Sequence, residues 1–369
     1  MSVPWYSVAN AAEVPSPAVL IHPERVVENL HRMIFLAGGA DRLRPHVKTH
    51  KLPGIIALKL SVGITKFKCA TIAEAEMTAA AGGPDVLLAY PVVGPNARRF
   101  TELVRKFPRT RFSTVVDNPG SLAELAQAAG GSRVTVEVMV DLNVGMDRTG
   151  IAPGPEAVAL YRRIVATPGI RPGGLHAYDG HLHQAEASDR AKAVDAAFGP
   201  VWRLRDELRA AGLPVPRIVA SGTPTFVLLA REPDVEVGAG TSVLWDAGQP
   251  RNCPEFCFLE AAVLLTRVIS RPTPTRLTLD LGHKAVASEM PHPRVRLLGL
   301  EDAQVAMHSE EHLVVETPRA AEYPVGTVVY GIPTHVCPTV ALHSEVVVVR
   351  DGRAVENWPV VARARRITV

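Results

Sequence analysis

The sequence predicts an α/β fold, a closed (β/α)8 TIM barrel over residues 17–245 with a second, C-terminal all-β domain over 250–369 that also takes up residues 1–16. Three observations lead there. From residue 43 to about 241, a short β-rich apolar run, a polar or glycine-bearing turn and a helical stretch recur eight times, the pattern of a parallel barrel. An open doubly wound sheet alternates too, but it carries a Gly-rich fingerprint after its first strand, where this chain has Lys48-Thr49-His50-Lys51. Beyond about residue 250, helical periodicity gives way to runs of Val, Leu and Thr between Pro and Gly turns.

A strand over Pro17–His22 and an amphipathic helix over Pro23–Gly38, expected across one barrel end, come first. The eight barrel runs follow: Leu43–Lys48, Lys66–Thr71, Val86–Pro91, Arg111–Asp117, Val134–Leu142, Gly173–Asp179, Arg217–Gly222 and Val235–Gly240. Helical patterns stand between them. Residues 71–83, for example, open on a Thr cap, carry Glu in the first turns and close on glycine. The later β runs are Thr275–Leu279, Val295–Leu298, Leu313–Glu316, Thr327–Tyr330 and Glu345–Val349.

Composition narrows the function classes. The 369 residues are 47% hydrophobic and 21% charged, ordinary for a globular protein of this size. A net charge of +3 from 40 basic and 37 acidic residues, spread along the chain without a polybasic block, argues against nucleic acid as a partner. No run approaches the roughly 18 apolar residues of a membrane span, so no membrane partner is expected. Four cysteines, Cys69, Cys253, Cys257 and Cys337, suggest no disulfide framework, and Cys253 and Cys257 read as packing residues. With no signal-like N-terminus, a cytoplasmic location is expected.

The polar oddities gather at the C-terminal ends of the expected strands, where barrel enzymes keep their chemistry. Arg44-Pro45-His46-Val47-Lys48-Thr49-His50-Lys51 sets an amine among cationic and imidazole groups. Like charge and partial burial lower its pKa, as an amine that condenses with an aldehyde requires. A solvated basic strand end satisfies the same residues. Strand five runs into residues 141–150 with Arg148, which lies beyond two glycine-permitted bends and can reach an anionic oxygen in fork geometry. Strand six ends in His176, Tyr178, His181 and His183, where Tyr178 can stack on a flat ligand. Ser221-Gly222-Thr223, ahead of a helix start at the end of strand seven, offers N–H groups and hydroxyls to a phosphate, as would an ordinary cap and turn. In the second domain, His335 and Cys337 point the same way if their segment is extended, a two-ligand clip that suits Zn²⁺ better than Mg²⁺ and leaves positions open. Ser309-Glu310-Glu311-His312 reads as a solvated turn.

Taken in order, RPHVKTHK, DLNVGMDRTG, GLHAYDGH, SGTPT and PTHVCPT resemble the D-threonine aldolase and D-serine dehydratase family, whose barrel is of the alanine-racemase type, and the resemblance runs from about Ser16 to the C-terminus. It implies pyridoxal 5'-phosphate carried covalently by Lys48. His46, Tyr178, Ser221, Gly222 and Thr223 would bind the cofactor, Arg148 would sit by its phenolic oxygen, and His335 with Cys337 would hold a divalent metal, zinc before manganese or magnesium. One departure is clear: where the family often shows Pro-Gly-Thr-Tyr after the last barrel strand, this chain has Ala239-Gly240-Thr241-Ser242, without the aromatic hydroxyl.

The resemblance implies a lyase acting on small β-hydroxy D-amino acids. A protonated pyridine ring accepts electrons from whichever bond at Cα stands perpendicular to it. With Cα–Cβ aligned and a base, His181 or a metal-bound hydroxide, taking the hydroxyl proton, D-threonine splits to glycine and an aldehyde. With Cα–H aligned, Lys48 takes that proton and the metal draws off hydroxide, the D-serine or 3-hydroxy-D-aspartate dehydratase alternative. The aldolase is preferred on overall similarity, while His-x-Cys looks more like the dehydratase branch. An amino-acid racemase has no use for a metal clip, and a non-catalytic pyridoxal-phosphate carrier would match the barrel alone. A homodimer with its site between barrel and β domain is expected.

Overall fold

The computed structural model describes residues 3–369. They group into two compact units, one of His31–Lys48, Lys59–Gly240 and Ala364–Val369, the other of Met1–Leu30, Thr49–Leu58 and Thr241–Arg363. In chain order the strands are β1 (Ala18–Ile21), β2 (Lys66–Cys69), β3 (Asp85–Leu88), β4 (Arg111–Val116), β5 (Val136–Leu142), β6 (Ile170–Ala177), β7 (Ile218–Ala220) and β8 (Val235–Val237). Then come β9 (Ala262–Thr273), β10 (Arg276–Leu279), β11 (Val295–Leu298), β12 (Gln304–His308), β13 (Leu313–Glu316), β14 (Val328–Pro333), β15 (Glu345–Arg350) and β16 (Arg353–Pro359).

In the first unit, β2 to β8 pair side by side and all parallel, the barrel arrangement the alternation predicts. The expected first strand is a correction. Residues 43–46 make only isolated bridges, Leu43 to Val237 on β8 and His46 to Lys68 on β2. Pro45 lacks the N–H a ladder needs, and the chain turns into a 3-10 helix at Val47–Thr49, so Lys48 sits on a turn instead of a strand end. The segment still joins β8 to β2: Arg44 donates its N–H to Val237 O at 2.9 Å, and Pro45 O accepts from Lys68 at 3.2 Å.

The crossover helices start as their sequences suggest. Thr71 caps helix Ile72–Ala80, its hydroxyl accepting from the Glu74 N–H at 3.1 Å, while the Glu74 carboxylate accepts from the Ala70 N–H at 2.6 Å. Leu87, Val115, Met139 and Val219 pack together as one buried cluster. Early strand positions carry charges that are already paired. Buried Arg44 holds Asp85 at 2.7 Å and Glu236 at 2.6 Å, and buried Glu137 meets Arg111, Arg171 and Arg217. Charge at those ends is thus spent on structure, which leaves the opposite ends for chemistry.

The second unit is a mostly antiparallel sheet in the order β12-β13-β10-β9-β1-β15-β16, with β14 also on β9 and β11 on β14. The runs Val295–Leu298 and Leu313–Glu316 stand as expected. β1 pairs antiparallel with β9 and parallel with β15. The long β9 escapes the reading because its first five residues are all buried, so period-two alternation is missing.

His22 follows β1 and is 5% exposed, its ring edge-on to Trp5 at 5.1 Å. Burial, helped by the charge of Arg25, pushes its pKa down to about 4. Below the ordinary histidine value of about 6.5 the unfolded chain takes up a proton that the folded one refuses, so stability falls as pH drops from 6.5 to about 4, by about 3 kcal/mol from this residue. Urea titrations at pH 7 and pH 4.5 should show His22→Phe losing less stability between the two than the parent. Equal losses would count against this assignment.

Candidate active site

Three cations converge on one aromatic ring in the first unit. Lys48 Nζ lies 5.5 Å from the Tyr178 ring centroid, Lys68 Nζ 5.3 Å, and Arg148 Cζ 5.0 Å. Tyr178 follows β6, and Arg148 belongs to the loop after β5. That loop is locked. Asn143 Oδ1 accepts from the N–H groups of Gly145 (3.0 Å) and Asp147 (3.1 Å), and Ile151 returns to bridge Leu142. Gly150 has φ +100°, and a side chain there would press on the Leu142–Asn143 backbone at 2.6 Å, so the bend that delivers Arg148 needs glycine.

Around this ring the titratable groups are buried. His46 Nδ1 accepts the Lys48 N–H at 3.2 Å, and burial together with the charges of Lys48, Lys68 and Lys59 holds the imidazole well below its ordinary pKa and neutral. Asp141 and His176, adjacent in the β5–β6 register, pair at 2.7 Å through His176 Nδ1, and Asp141 also accepts from the Thr149 hydroxyl at 2.8 Å. Burial works to raise Asp141, but the bond to and charge of His176, the Thr149 hydroxyl and the Arg148 charge together outweigh it, and the carboxyl stays below its usual range. Burial lowers His176 despite that carboxylate. The result is a neutral imidazole donating from Nδ1, with a buried Nε2 lone pair that meets no hydrogen-bond partner among the described residues.

Ser221, Gly222 and Thr223 do end β7, but two of them are occupied. The Ser221 hydroxyl accepts from Gly238 N–H at 3.0 Å, and Gly222 N–H goes to Asp179 Oδ1 at 2.7 Å. Burial raises the Asp179 carboxyl. The helix that follows, Phe226–Leu229, is one turn, so the expected dipole contribution is a correction: too few peptides align to supply it. Thr223 is buried beside them. His181 packs against the Arg148 loop, its Nε2 3.0 Å from where a Gly145 side chain would begin, and its Nδ1 is buried without a hydrogen-bond partner among the described residues. Lys48, Arg148 and Tyr178 are brought together, with His46 hydrogen-bonded to the Lys48 backbone. Sequence reading missed Lys68, Asp179 and the Asp141–His176 pair.

In the second unit, His335 and Cys337 converge, though not on an extended segment. His335 is the N-cap of helix Val336–Leu342 and Cys337 lies in its first turn, where Pro338 is tolerated because first-turn N–H groups have no intrahelical partner. Their side chains hydrogen-bond each other. Burial works against the imidazolium, but Cys337, Glu289 and Asp246 push His335 up to about 9. His335 Nδ1 contacts Glu289 Oε1 at 2.5 Å. Buried Asp246 accepts the Val336 N–H at 2.9 Å and those of Gly248 and Gln249. Cys337 Sγ lies 3.3 Å from the Thr49 hydroxyl. Among the described residues no group of three or more His, Cys, Asp and Glu is gathered to hold a metal, so the clip offers two protein donors.

Residues 21–243 match the family model described as alanine racemase, N-terminal domain, and residues 261–349 the one described as putative serine dehydratase domain. A D-threonine aldolase from Arthrobacter sp is 30% identical over 358 residues, covering 95% of this chain and 93% of that protein. A D-threo-3-hydroxyaspartate dehydratase from Delftia sp. is 24% identical, with 93% and 96% covered. The crystal structure of D-threonine aldolase from Filomicrobium marinum superposes with a TM-score of 0.87 at 28% identity, covering 97% of this chain and 98% of that one.

Proposed function

Since the chain belongs to the alanine-racemase-like family that includes D-threonine aldolases, we propose that it is a pyridoxal-phosphate- and divalent-metal-dependent lyase that cleaves β-hydroxy D-amino acids, D-threonine foremost, to glycine and an aldehyde. The observation that carries this reading is the convergence of Lys48, Lys68 and Arg148 on Tyr178 beside a buried, unpartnered His176 Nε2. Such a site fits an anionic, flat, aldehyde-bearing cofactor: a free amine to condense with, an aromatic face to lie against, and positive charge for its oxygens.

When bound, pyridoxal phosphate withdraws electrons from a bond at the substrate Cα. Lys48 would hold it covalently, Arg148 would stand by its phenolic oxygen, and Thr223 with the Ser221 hydroxyl would take the phosphate. The His176 Nε2 lone pair, its ring oriented by Asp141, would accept a hydrogen bond from the bound ligand. His181 is the base for the substrate hydroxyl. His335 and Cys337 supply one imidazole and one thiolate for the metal, and the thiolate favours zinc. All four cysteines are thiols, which accords with a cytoplasmic enzyme.

The dehydratase is the second reading, favoured by the His-x-Cys clip and by the match of residues 261–349. Incubation with D-threonine and D-serine, with and without chelator, separates the two. Glycine and acetaldehyde from D-threonine support the aldolase; pyruvate from D-serine without glycine from D-threonine would replace it by the dehydratase.

A further inference from the structure

We propose that Lys68 contacts the cofactor directly, its amine donating a hydrogen bond to the pyridine nitrogen. The proposal rests on the reading of Lys48 as the covalent anchor. Lys68 lies in β2 at the level of His46, 1% exposed. A buried amine needs acceptors for its N–H bonds. Among the described residues its Nζ meets one, Ser221 O at a long 3.5 Å, together with the ring of Tyr178, and it makes no ion pair. At least one donor is therefore held ready for something else.

The space around it is kept deliberately bare. A side chain on Gly238 would collide with Lys68 Nζ, although the backbone there adopts no left-handed conformation that would itself call for glycine. Lys48 and Lys68 face the same Tyr178 ring from similar distances, so a flat group joined to Lys48 and lying against that ring comes within reach of Lys68. Pyridoxal phosphate has three kinds of acceptor. The phenolic oxygen falls to Arg148. The phosphate falls to Thr223 and the Ser221 hydroxyl. The ring nitrogen remains. Burial and the neighbouring Lys48 charge push Lys68 down to about 7, which suits a donor able to stand opposite a neutral acceptor.

A donor at that nitrogen keeps it unprotonated, contrary to the protonated ring the sequence suggests. The ring would then be a weaker electron sink, leaving more of the activation to a metal that His335 and Cys337 would hold.

The test compares Lys68→Met and Lys68→Gln in the full-length protein, titrated with pyridoxal 5'-phosphate and separately with pyridoxal. Lys68→Met should bind both about 10-fold more weakly and shift the absorption band of the bound chromophore, whereas Lys68→Gln, which keeps a donor, should stay near the parent in both. Weakening for the phosphate ester alone would assign Lys68 to the phosphate, and an unchanged affinity and spectrum would assign it to packing; either overturns the proposal. Should Lys68→Met fail to fold, Gly238→Ala displaces the amine by collision and should reproduce the loss. Borohydride reduction and peptide mapping keep the two readings apart. A label on Lys48 with unaltered Lys68→Met binding sinks only this inference, while a label on Lys68 sinks the anchor assignment itself.

Discussion

Lys48→Ala should leave a folded protein that has lost lyase activity by about 10⁴-fold or more, the scale on which enzymes lose a covalent nucleophile. Folding should survive because the Lys48 side chain is tied to the fold only weakly. Its backbone N–H serves His46, but among the described residues its amine makes no hydrogen bond or ion pair beyond the 5.5 Å approach to Tyr178. That cation–π contact is worth less than about 1 kcal/mol at a partly exposed position. Lys48→Arg separates charge from nucleophilicity: it keeps the cation beside Tyr178, yet a guanidinium stays protonated and cannot condense with an aldehyde. Both variants should therefore be inactive and colourless after borohydride treatment, while Lys48→Arg still binds pyridoxal phosphate reversibly. A borohydride-stable adduct at full stoichiometry in either variant would move the anchor elsewhere, with Lys68 the nearest candidate on the same ring.

Much of this site is legible in the sequence because barrel enzymes place chemistry at strand ends, and the β/α alternation locates those ends to within a few residues. That reasoning singles out Lys48, Arg148 and Tyr178, and the three converge on one ring, Lys48 from a turn instead of a strand end. Lys68 escapes it, for a physical reason. In Lys66-Phe67-Lys68-Cys69 the alternation suggests lysines facing water, but barrel strands are covered on both faces: Phe67 and Cys69 are buried, and Lys68 is buried as well. The Asp141–His176 pair spans 35 positions and becomes visible only through the β5–β6 register. Pro45 signals that a ladder cannot run through residues 43–48, yet the strand-like composition around it hides the 3-10 turn that carries Lys48. His335 and Cys337 meet by a different geometry from the one the spacing suggests: an extended N-cap leading into the first turn of a helix can, like strand alternation, bring i and i+2 donors together, and the apolar residues around them fit both.

Chelation should abolish turnover and zinc should restore it, with His335→Ala and Cys337→Ala each lowering metal affinity by at least about 10²-fold. Two protein donors cannot spare one: a lone imidazole or thiolate gives a divalent ion little advantage over water and buffer. Glu289 should matter less, but measurably. Its carboxylate holds His335 Nδ1 at 2.5 Å, which orients the ring and leaves Nε2 for the metal, so Glu289→Gln should weaken metal binding by about 10- to 100-fold, as the loss of a carboxylate behind a ligating imidazole does elsewhere. The choice of metal follows from sulfur. Cys337→Asp keeps a charge in the same turn but replaces a soft donor by a hard one, and should move the preference from zinc toward manganese or magnesium while D-threonine cleavage persists. Metal content after dialysis and activity with each ion added back would measure all four variants together. Full activity of metal-stripped protein, or equal zinc content in Cys337→Ala and the parent, would remove the clip from the reaction. What remained would be the amine, the aromatic face and the buried bases of the barrel unit, chemistry sufficient to carry a proton at Cα but without an acid to help the β-oxygen leave.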